Sequence, residues 1–321
     1  MKRGHGSCNR CSVNCWVPLN PNKTRVCYDV QMMSTLVHPD TCLRYVALLE
    51  QLCNSARRDT SFNEPAGQLR VERGVVNGDG LVHTRSKLVD LVHTDAAATV
   101  DVVDASGHRR GMYRPLLVYR WLCTDTHAPH GAIHAWADVL TSDLQSFINT
   151  PGPVSAEQGA VASTAAWLGL AVTRAGMLLG LDAFVLAGRR VFDRLVQSQR
   201  ADGSLLHAGR SDNPETQWFH ELVIMHAMTS YAVIARDDAA LACAMRNASF
   251  HQNETQPDHA TTQPWGVAAA GCRADTIPLA DQLLHSAAVQ QPGGIGGVSL
   301  MLLDDALYCL TSLSRRDPQR V

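Results

Sequence analysis

From residue 155 onward, apolar residues recur at the spacing of a helix face, in segments whose connections are alternately short and long. Only a residue or two around Gly180 separates the first two segments, whereas the polar stretch 199–213 separates the second from the third. A short connection puts consecutive helices side by side and antiparallel. The pattern therefore predicts a chain of helical hairpins, and the expected fold class is all-α.

Helix-start signals support this division. Ser155 and Gln158 have the spacing of a capping box, and Asn213-Pro214 combines a good N-cap with a proline at the first helical position. The predicted helices run from Asp40 through Leu52, over 86–98, from Pro115 through Leu122, over 132–148, from Ser155 through Leu179, from Asp182 through Leu195, from Pro214 through Val233, from Asp237-Asp238 to Ala248, from Trp265, from Thr276 through Ala287, and from Leu300 through Leu310.

Residues 57–113 are less regular than the rest of the domain. The stretch 57–83 is rich in Arg, Asn, Asp and Gly, which favours a long connection. Thr99–Val103 alternates polar and apolar residues as a strand does, and the turn residues 106–111 after it suit a hairpin. If the domain contains strands, we expect them in this part of the chain, residues 57–113.

The charge balance argues against two classes of partner. With 28 basic and 30 acidic residues, a formal charge of -2, the chain has no long-range field that attracts nucleic acid or an anionic membrane. Its 321 residues are 45% hydrophobic, enough for a sizeable core, and we expect one domain over 37–321 after a poorly ordered arm over 1–36. Neither a signal peptide nor a membrane span is expected, so the expected location is the cytoplasm.

The ten cysteines occupy two settings. Six lie singly among apolar residues, where a reduced thiol behaves as a small core side chain. The other four lie close together in the N-terminal arm. Their thiolates could bind zinc or an iron–sulfur cluster. Alternatively, translation starts at Met32 or Met33, and the residues before it do not belong to the protein. The spacing of His127, His130 and His134 is also ligand-like but weakly specific, and neither a metal nor a cofactor is predicted. The four N-terminal cysteines are Cys8, Cys11, Cys15 and Cys27.

One seven-residue turn carries a family resemblance. Residues 199–205 are Gln-Arg-Ala-Asp-Gly-Ser-Leu, in which Gly203 allows the chain to reverse and the Asp202 carboxylate can accept hydrogen bonds from free amides. This segment resembles the Q-x-x-D-G-x-[W/F/L] turn of α/α-toroid proteins, among them the squalene-cyclase and prenyltransferase group, unsaturated-glucuronyl hydrolases and some polysaccharide lyases. The resemblance implies a ring of helical hairpins whose inner helices start at a central cavity.

Two polar loops, residues 199–207 and residues 251–266, would meet at the mouth of such a cavity. A carboxylate paired with a histidine can remove a proton and return it, and the predicted pairs are Glu254 with His259 or Glu221 with His207. His226, on an apolar helix, is expected to be a satisfied core histidine. The predicted catalytic residues are Glu254, His259, Glu221, His220 and Asp258, and the predicted substrate-binding residues are His207, Trp218, Asn253, Gln263 and Trp265.

These residues leave three functions open. The first is acid–base lyase or hydrolase chemistry on a small polar, carbohydrate-like substrate, with Trp218 and Trp265 as stacking platforms. The second is a terpenoid-cyclase-like protein, although the D-x-D-D acid motif is absent and an aromatic content of 6% is low for a cavity that stabilises carbocations. The third is a non-catalytic helical-repeat binding protein. A zinc protease is excluded, because His226 follows His220-Glu221 on a different helix face.

Overall fold

The computed structural model describes residues 37–58, 68–71, 74–77, 99–103, 109–113, 119, 122, 130–207, 213–289 and 297–315. The N-terminal arm with its four cysteines, the predicted helix over 86–98, most of the one from Pro115, and His127 lie outside these residues. The described part of the chain is mostly helical, as predicted.

The helices follow one another along the chain with few other elements between them. They are α1 (Pro39–Arg58), α2 (His130–Asn149), α3 (Gly159–Leu179), α4 (Asp182–Ser198), α5 (Pro214–Ala235), α6 (Asp238–Glu254), α7 (Pro257–Ala260), α8 (Val267–Ala270), α9 (Ile277–Val289) and α10 (Gly297–Ser314), with single 3₁₀ turns at Ala156–Gln158 and Ala274–Thr276.

A small antiparallel sheet accompanies the helices. Its strands are β1 (Gln68–Val71), β2 (Gly74–Asn77), β3 (Thr99–Val103) and β4 (Arg109–Tyr113), in the order β2-β1-β3-β4. The strands β3 and β4 form the predicted hairpin, but β1 and β2 lie in the stretch expected to be a connection, so that prediction is wrong there. Four-residue strands put only two residues on each face, too few for an alternating pattern to stand out.

The local signals at helix starts are largely confirmed. Asn213 Oδ1 accepts a hydrogen bond from the Glu215 amide (2.9 Å), and Asp237 Oδ1 accepts one from the Ala240 amide (2.9 Å). Each bond satisfies an amide that has no partner within its own helix. The helix predicted from Asp182 begins at that residue, and Leu181 is the N-cap.

The helix contacts form two rows. The row of α3, α5, α8 and α10 is called the inner row, the second row contains α2, α4, α6 and α9, and α1 packs along α10. Every residue of α5 from Glu221 to Val233 is buried. A helix buried on all sides must satisfy its polar side chains within the protein.

The apolar face predicted for α1 from Leu43, Val46, Leu49 and Leu52, with Tyr45 and Leu48 beside them, is confirmed in part. Tyr45 and Leu49 are buried and Val46 and Leu52 pack against the core, whereas Leu43 is 53% exposed and Leu48 is 38% exposed. The prediction missed Cys42 and Cys53, which are buried on the same face because steps of three and four residues stay on one side of a helix of 3.6 residues per turn.

The apolar character of α3 follows from its inner position. Ala156–Leu179 is the one described segment long and apolar enough to cross a membrane, although no such segment was expected. Inside the protein 67% of its most apolar stretch is buried. Its composition is that of a helix enclosed by other helices.

Candidate functional site

The first turns of α3 and α5 and the last turns of α6 lie at one end of the helical rows. Ser163 of α3 contacts His220 of α5, with Oγ and Nδ1 3.1 Å apart. Asn247 of α6 donates to Glu221 of α5 across 2.9 Å. We take this end of the molecule as the candidate site, because it gathers several of the predicted residues.

The turn at 199–205 has the predicted local chemistry. Asp202 Oδ1 accepts hydrogen bonds from the amide (3.0 Å) and the hydroxyl (2.7 Å) of Ser204. Gly203 has a φ of 95°, and a Cβ there would lie 2.5 Å from the carbonyl oxygen of Arg246. Glycine is required at this position both by the backbone conformation and by the close approach of α6.

The turn is also tied to α6 by one side chain. Gln199 Nε2 donates to the carbonyl oxygens of Gly203 (2.9 Å) and Cys243 (2.8 Å). Gln199 Oε1 accepts from Arg246 Nε at 2.8 Å. The first residue of the motif thus fixes the turn against α6.

Glu221 anchors the end of the same turn. Its side chain has no exposed surface, and its carboxylate accepts hydrogen bonds from the amides of Leu205 and Leu206 (both 3.2 Å), from Gln217 Nε2 (3.0 Å) and from Asn247 Nδ2 (2.9 Å). Burial raises the pKa of Glu221, and these four bonds act in the opposite direction. The carboxylate is enclosed by its donors and holds the chain where it enters α5.

His251 lies in the last turns of α6, because this helix runs to Glu254 and does not end at Ala248 as predicted. Its side chain is fully buried, with Nε2 3.6 Å from Glu221 Oε2 and Nδ1 2.9 Å from the Thr255 hydroxyl. Burial lowers the pKa of His251 to about 3, so the ring is neutral at pH 7. Glu221 and His251 are therefore not a charged pair at that pH.

His220 combines partial exposure with a fixed orientation. Its Nδ1 contacts the hydroxyl of Ser163, which has no exposed surface and lies 3.1 Å from the carbonyl oxygen of Ala160. A Cβ on Gly159 would lie 2.9 Å from His220 Cδ2, so the ring packs directly on that backbone. Burial lowers the pKa of His220, which keeps the imidazole neutral at pH 7.

The two predicted carboxylate–histidine pairs are not in contact within the described residues. His207 Nε2 donates to the carbonyl oxygen of Ser198 (2.8 Å), away from the donors around Glu221. Glu254 and His259 are both exposed, and no hydrogen bond or ion pair joins them in the described part of the chain. A proton-transfer role for either of these two residues stays a prediction.

The remaining predicted residues have different surroundings. Asp258 accepts from Gln282 Nε2 at 2.6 Å, and Gln263 Oε1 accepts from the Ser299 hydroxyl at 2.6 Å. These bonds connect the segment after α6 to α9 and α10. Trp218 is half-buried and Asn253 is exposed.

Trp265 lies in the centre of the inner row, 4% exposed, and not at a rim. Its ring centroid is 6.0 Å from that of Trp167 and 5.8 Å from that of His226. No helix starts at Trp265 as predicted, because Gly266 adopts a left-handed conformation (φ 73°) and α8 begins at the next residue. This turn carries Trp265 inward, where it cannot offer an open stacking face.

A buried polar group adjoins this aromatic cluster. His226 Nδ1 accepts from the Gly266 amide (3.1 Å), and His226 Nε2 donates to Asp305 Oδ2 (3.3 Å). The Ser230 hydroxyl donates to the same carboxylate oxygen. His226 is thus the satisfied core histidine that was expected, and it joins α5 to α10.

The sequence interpretation missed Ser163, Asn247 and Ser230. Nothing in their local sequence marks them, because their partners lie on other helices.

In the described part of the chain, no group of three or more His, Cys, Asp or Glu residues is arranged to hold a metal ion. The chain matches no protein-family model, no curated protein and no solved structure. Its function is therefore argued from the site alone.

Proposed function

We propose that the chain is an α/α-toroid enzyme that performs acid–base lyase or hydrolase chemistry on a small polar, carbohydrate-like substrate, with His220 as proton acceptor. The two rows of contacting helices and the turn at 199–205 support the toroid. The observation that carries the function is the contact between His220 and Ser163. Among the predicted catalytic side chains, His220 combines partial exposure, a buried hydrogen-bond partner and a lowered pKa.

The hydrogen bonds around Ser163 define how His220 would act. Ser163 Oγ donates to the carbonyl oxygen of Ala160, and on that basis we assign a proton to His220 Nδ1, which donates to the same Ser163 oxygen. Nε2 then carries the lone pair and is the proton acceptor. A neutral base of this kind removes a proton from a carbon beside a carboxylate in a lyase, or from water in a hydrolase.

Polar side chains near the start of α5 support a polar substrate. Trp218 is half-buried in the second turn of α5, and Asn253, Glu254 and His259 are exposed where α6 ends and α7 begins. The end of α6 lies beside α5, because His251 Nε2 is 3.6 Å from Glu221 Oε2, and the short helix α7 also packs against α5. Amide, carboxylate and imidazole groups hydrogen-bond to sugar hydroxyls, and an indole face packs on a sugar ring.

The test is turnover of a panel of saturated and unsaturated oligosaccharides by the full chain, with both new double bonds and new reducing ends measured. His220→Gln is expected to lower kcat by about 10²–10⁴-fold with little change in KM, because the base acts in the transition state. The matched control is His285→Gln, an exposed histidine on α9 outside this site, with unchanged turnover expected. Glu254→Gln tests whether that carboxylate is the acid partner. Equal turnover by wild type and His220→Gln would contradict the proposal.

A second candidate, a terpenoid-cyclase-like protein, is favoured by one specific observation. Asp305 lies beside His226, which is part of a buried cluster with Trp167 and Trp265, and aromatic faces stabilise cations. Turnover of isoprenoid diphosphates or linear polyprenes that is lost in Asp305→Asn, with no oligosaccharide turnover, would select this function. Ligand binding without turnover in either panel would instead favour the non-catalytic binding protein.

A further inference from the structure

Two cysteines that are far apart in the sequence meet between α1 and the turn after α8. Neither Cys42 nor Cys272 is part of a disulfide, and neither side chain has exposed surface. The Cys272 side chain lowers the pKa of the Cys42 thiol, and Cys272 Sγ donates a hydrogen bond to the carbonyl oxygen of Ala268 (2.9 Å). This pairing differs from Cys243, which is also fully buried but has no cysteine partner in the described part of the chain.

The backbone fixes the two segments against each other. The amide of His38 donates to the carbonyl oxygen of Cys272 (3.0 Å), and the carbonyl oxygen of His38 accepts from the amide of Cys42 (3.0 Å). One turn further along α1, a Cβ on Gly271 would lie 3.1 Å from the ring of Tyr45. The start of α1 therefore lies directly on the turn that carries Cys272.

We propose that Cys42 and Cys272 form a redox site, in which a small disulfide such as oxidised glutathione converts the two thiols into a disulfide that joins α1 to the inner row. The Cys42 thiolate attacks the small disulfide and releases one small thiol. The Cys272 thiolate then attacks the Cys42 sulfur and releases the second. The protein loses two electrons, the small disulfide gains them, and the two thiol protons leave with the two small thiols.

Cys42 is the expected first nucleophile. The Cys272 side chain lowers the pKa of the Cys42 thiol, although burial acts in the opposite direction. Thiolates are the attacking species in disulfide exchange. Because both sulfur atoms are buried, exchange requires the start of α1 to separate from the turn after α8, and low concentrations of urea should accelerate it.

The test equilibrates the full wild-type chain with mixtures of oxidised and reduced glutathione, with and without low urea, followed by non-reducing peptide mapping. The expected product is a cross-linked peptide pair containing Cys42 and Cys272, lighter by two hydrogen atoms. Closure of so long a loop should raise Tm by about 5–10 °C relative to the reduced chain.

Cys42→Ala and Cys272→Ala should each abolish that rise in Tm, whereas the matched control Cys243→Ala should retain it. The peptide map of the wild-type chain does not depend on how well the variants fold. If Cys42 and Cys272 of the wild-type chain stay as thiols in fully oxidised glutathione with low urea, or carry separate glutathione adducts, the proposal is wrong.

Discussion

Replacement of Glu221 by alanine separates an anchoring role from a catalytic one. The carboxylate is fully buried and accepts four hydrogen bonds, two of them from the backbone amides of Leu205 and Leu206. Both amides belong to buried residues, so water cannot replace the lost acceptor without opening the turn. We therefore expect Glu221→Ala to loosen the junction between the 199–205 turn and α5.

The magnitude follows from the groups left without an acceptor. Each buried donor that loses its acceptor destabilises the fold by about 1–3 kcal/mol. Since two backbone amides and the side chains of Gln217 and Asn247 lose theirs, and partial relaxation recovers some of the loss, Glu221→Ala should lower the free energy of unfolding by about 3–5 kcal/mol. Glu221→Gln retains one acceptor oxygen and should lower it by about 2 kcal/mol.

The assay is urea unfolding of the full chain, followed by circular dichroism, for wild type, Glu221→Ala and Glu221→Gln. The anchoring role predicts that the free energy of unfolding is lowest for Glu221→Ala, intermediate for Glu221→Gln and highest for wild type. If the wild-type chain turns over a substrate, the turnover rate of Glu221→Gln should fall only in proportion to the loss of folded protein. Loss of turnover in Glu221→Gln with an unchanged free energy of unfolding would refute the reasoning and restore the catalytic role predicted from the sequence.

Two further substitutions test the turn and the buried centre by the same unfolding assay. Gly203→Ala should lower the free energy of unfolding by more than about 2 kcal/mol, because backbone strain adds to a contact of 2.5 Å with the carbonyl oxygen of Arg246. Gly152→Ala is its control, since Gly152 also has a positive φ (84°) but open space around it, so equal losses would remove the contact from the explanation. Asp305→Ala should lower the free energy of unfolding by about 3 kcal/mol, because His226 and Ser230 lose their acceptor. A loss below about 1 kcal/mol would argue against a stabilising role for the hydrogen bonds to Asp305.

Local chemistry explains which parts of the fold were predictable. Helix starts at Asn213 and Asp237 were found because a cap and the amide it satisfies lie within three residues of each other. The end of α6 was missed because the polar residues from His251 to Glu254 have the composition of a loop. Contacts with other segments hold them in the helix: His251 packs against Glu221, and Gln252 Oε1 accepts a hydrogen bond from the Leu279 amide (2.6 Å).

The site was less predictable than the helices, because it depends on contacts between different helices. The sequence indicated which residue types gather near the start of α5, and His220 was among those named. It could not indicate that Glu221 would be enclosed by Asn247, or that Trp265 would turn inward toward His226, because these contacts join different helices. Spacing along the chain carries no information about such pairings.

The central claim is that His220 is a neutral base whose Nδ1 proton is held by Ser163. Because burial lowers the pKa of His220, its neutral form contributes stability above the unfolded value of about 6.5, and that contribution is lost as the pH falls through the folded value. The ascending limb of any pH–rate profile that depends on this base should likewise lie below 6.5.

The direct measurement is a nitrogen-15 NMR titration of the histidine rings in the full chain, with the His220 signals assigned by their loss in His220→Gln. The account predicts a midpoint below 6.5, with the proton of the neutral ring on Nδ1. A midpoint at or above 6.5, or a neutral ring protonated on Nε2, would contradict it.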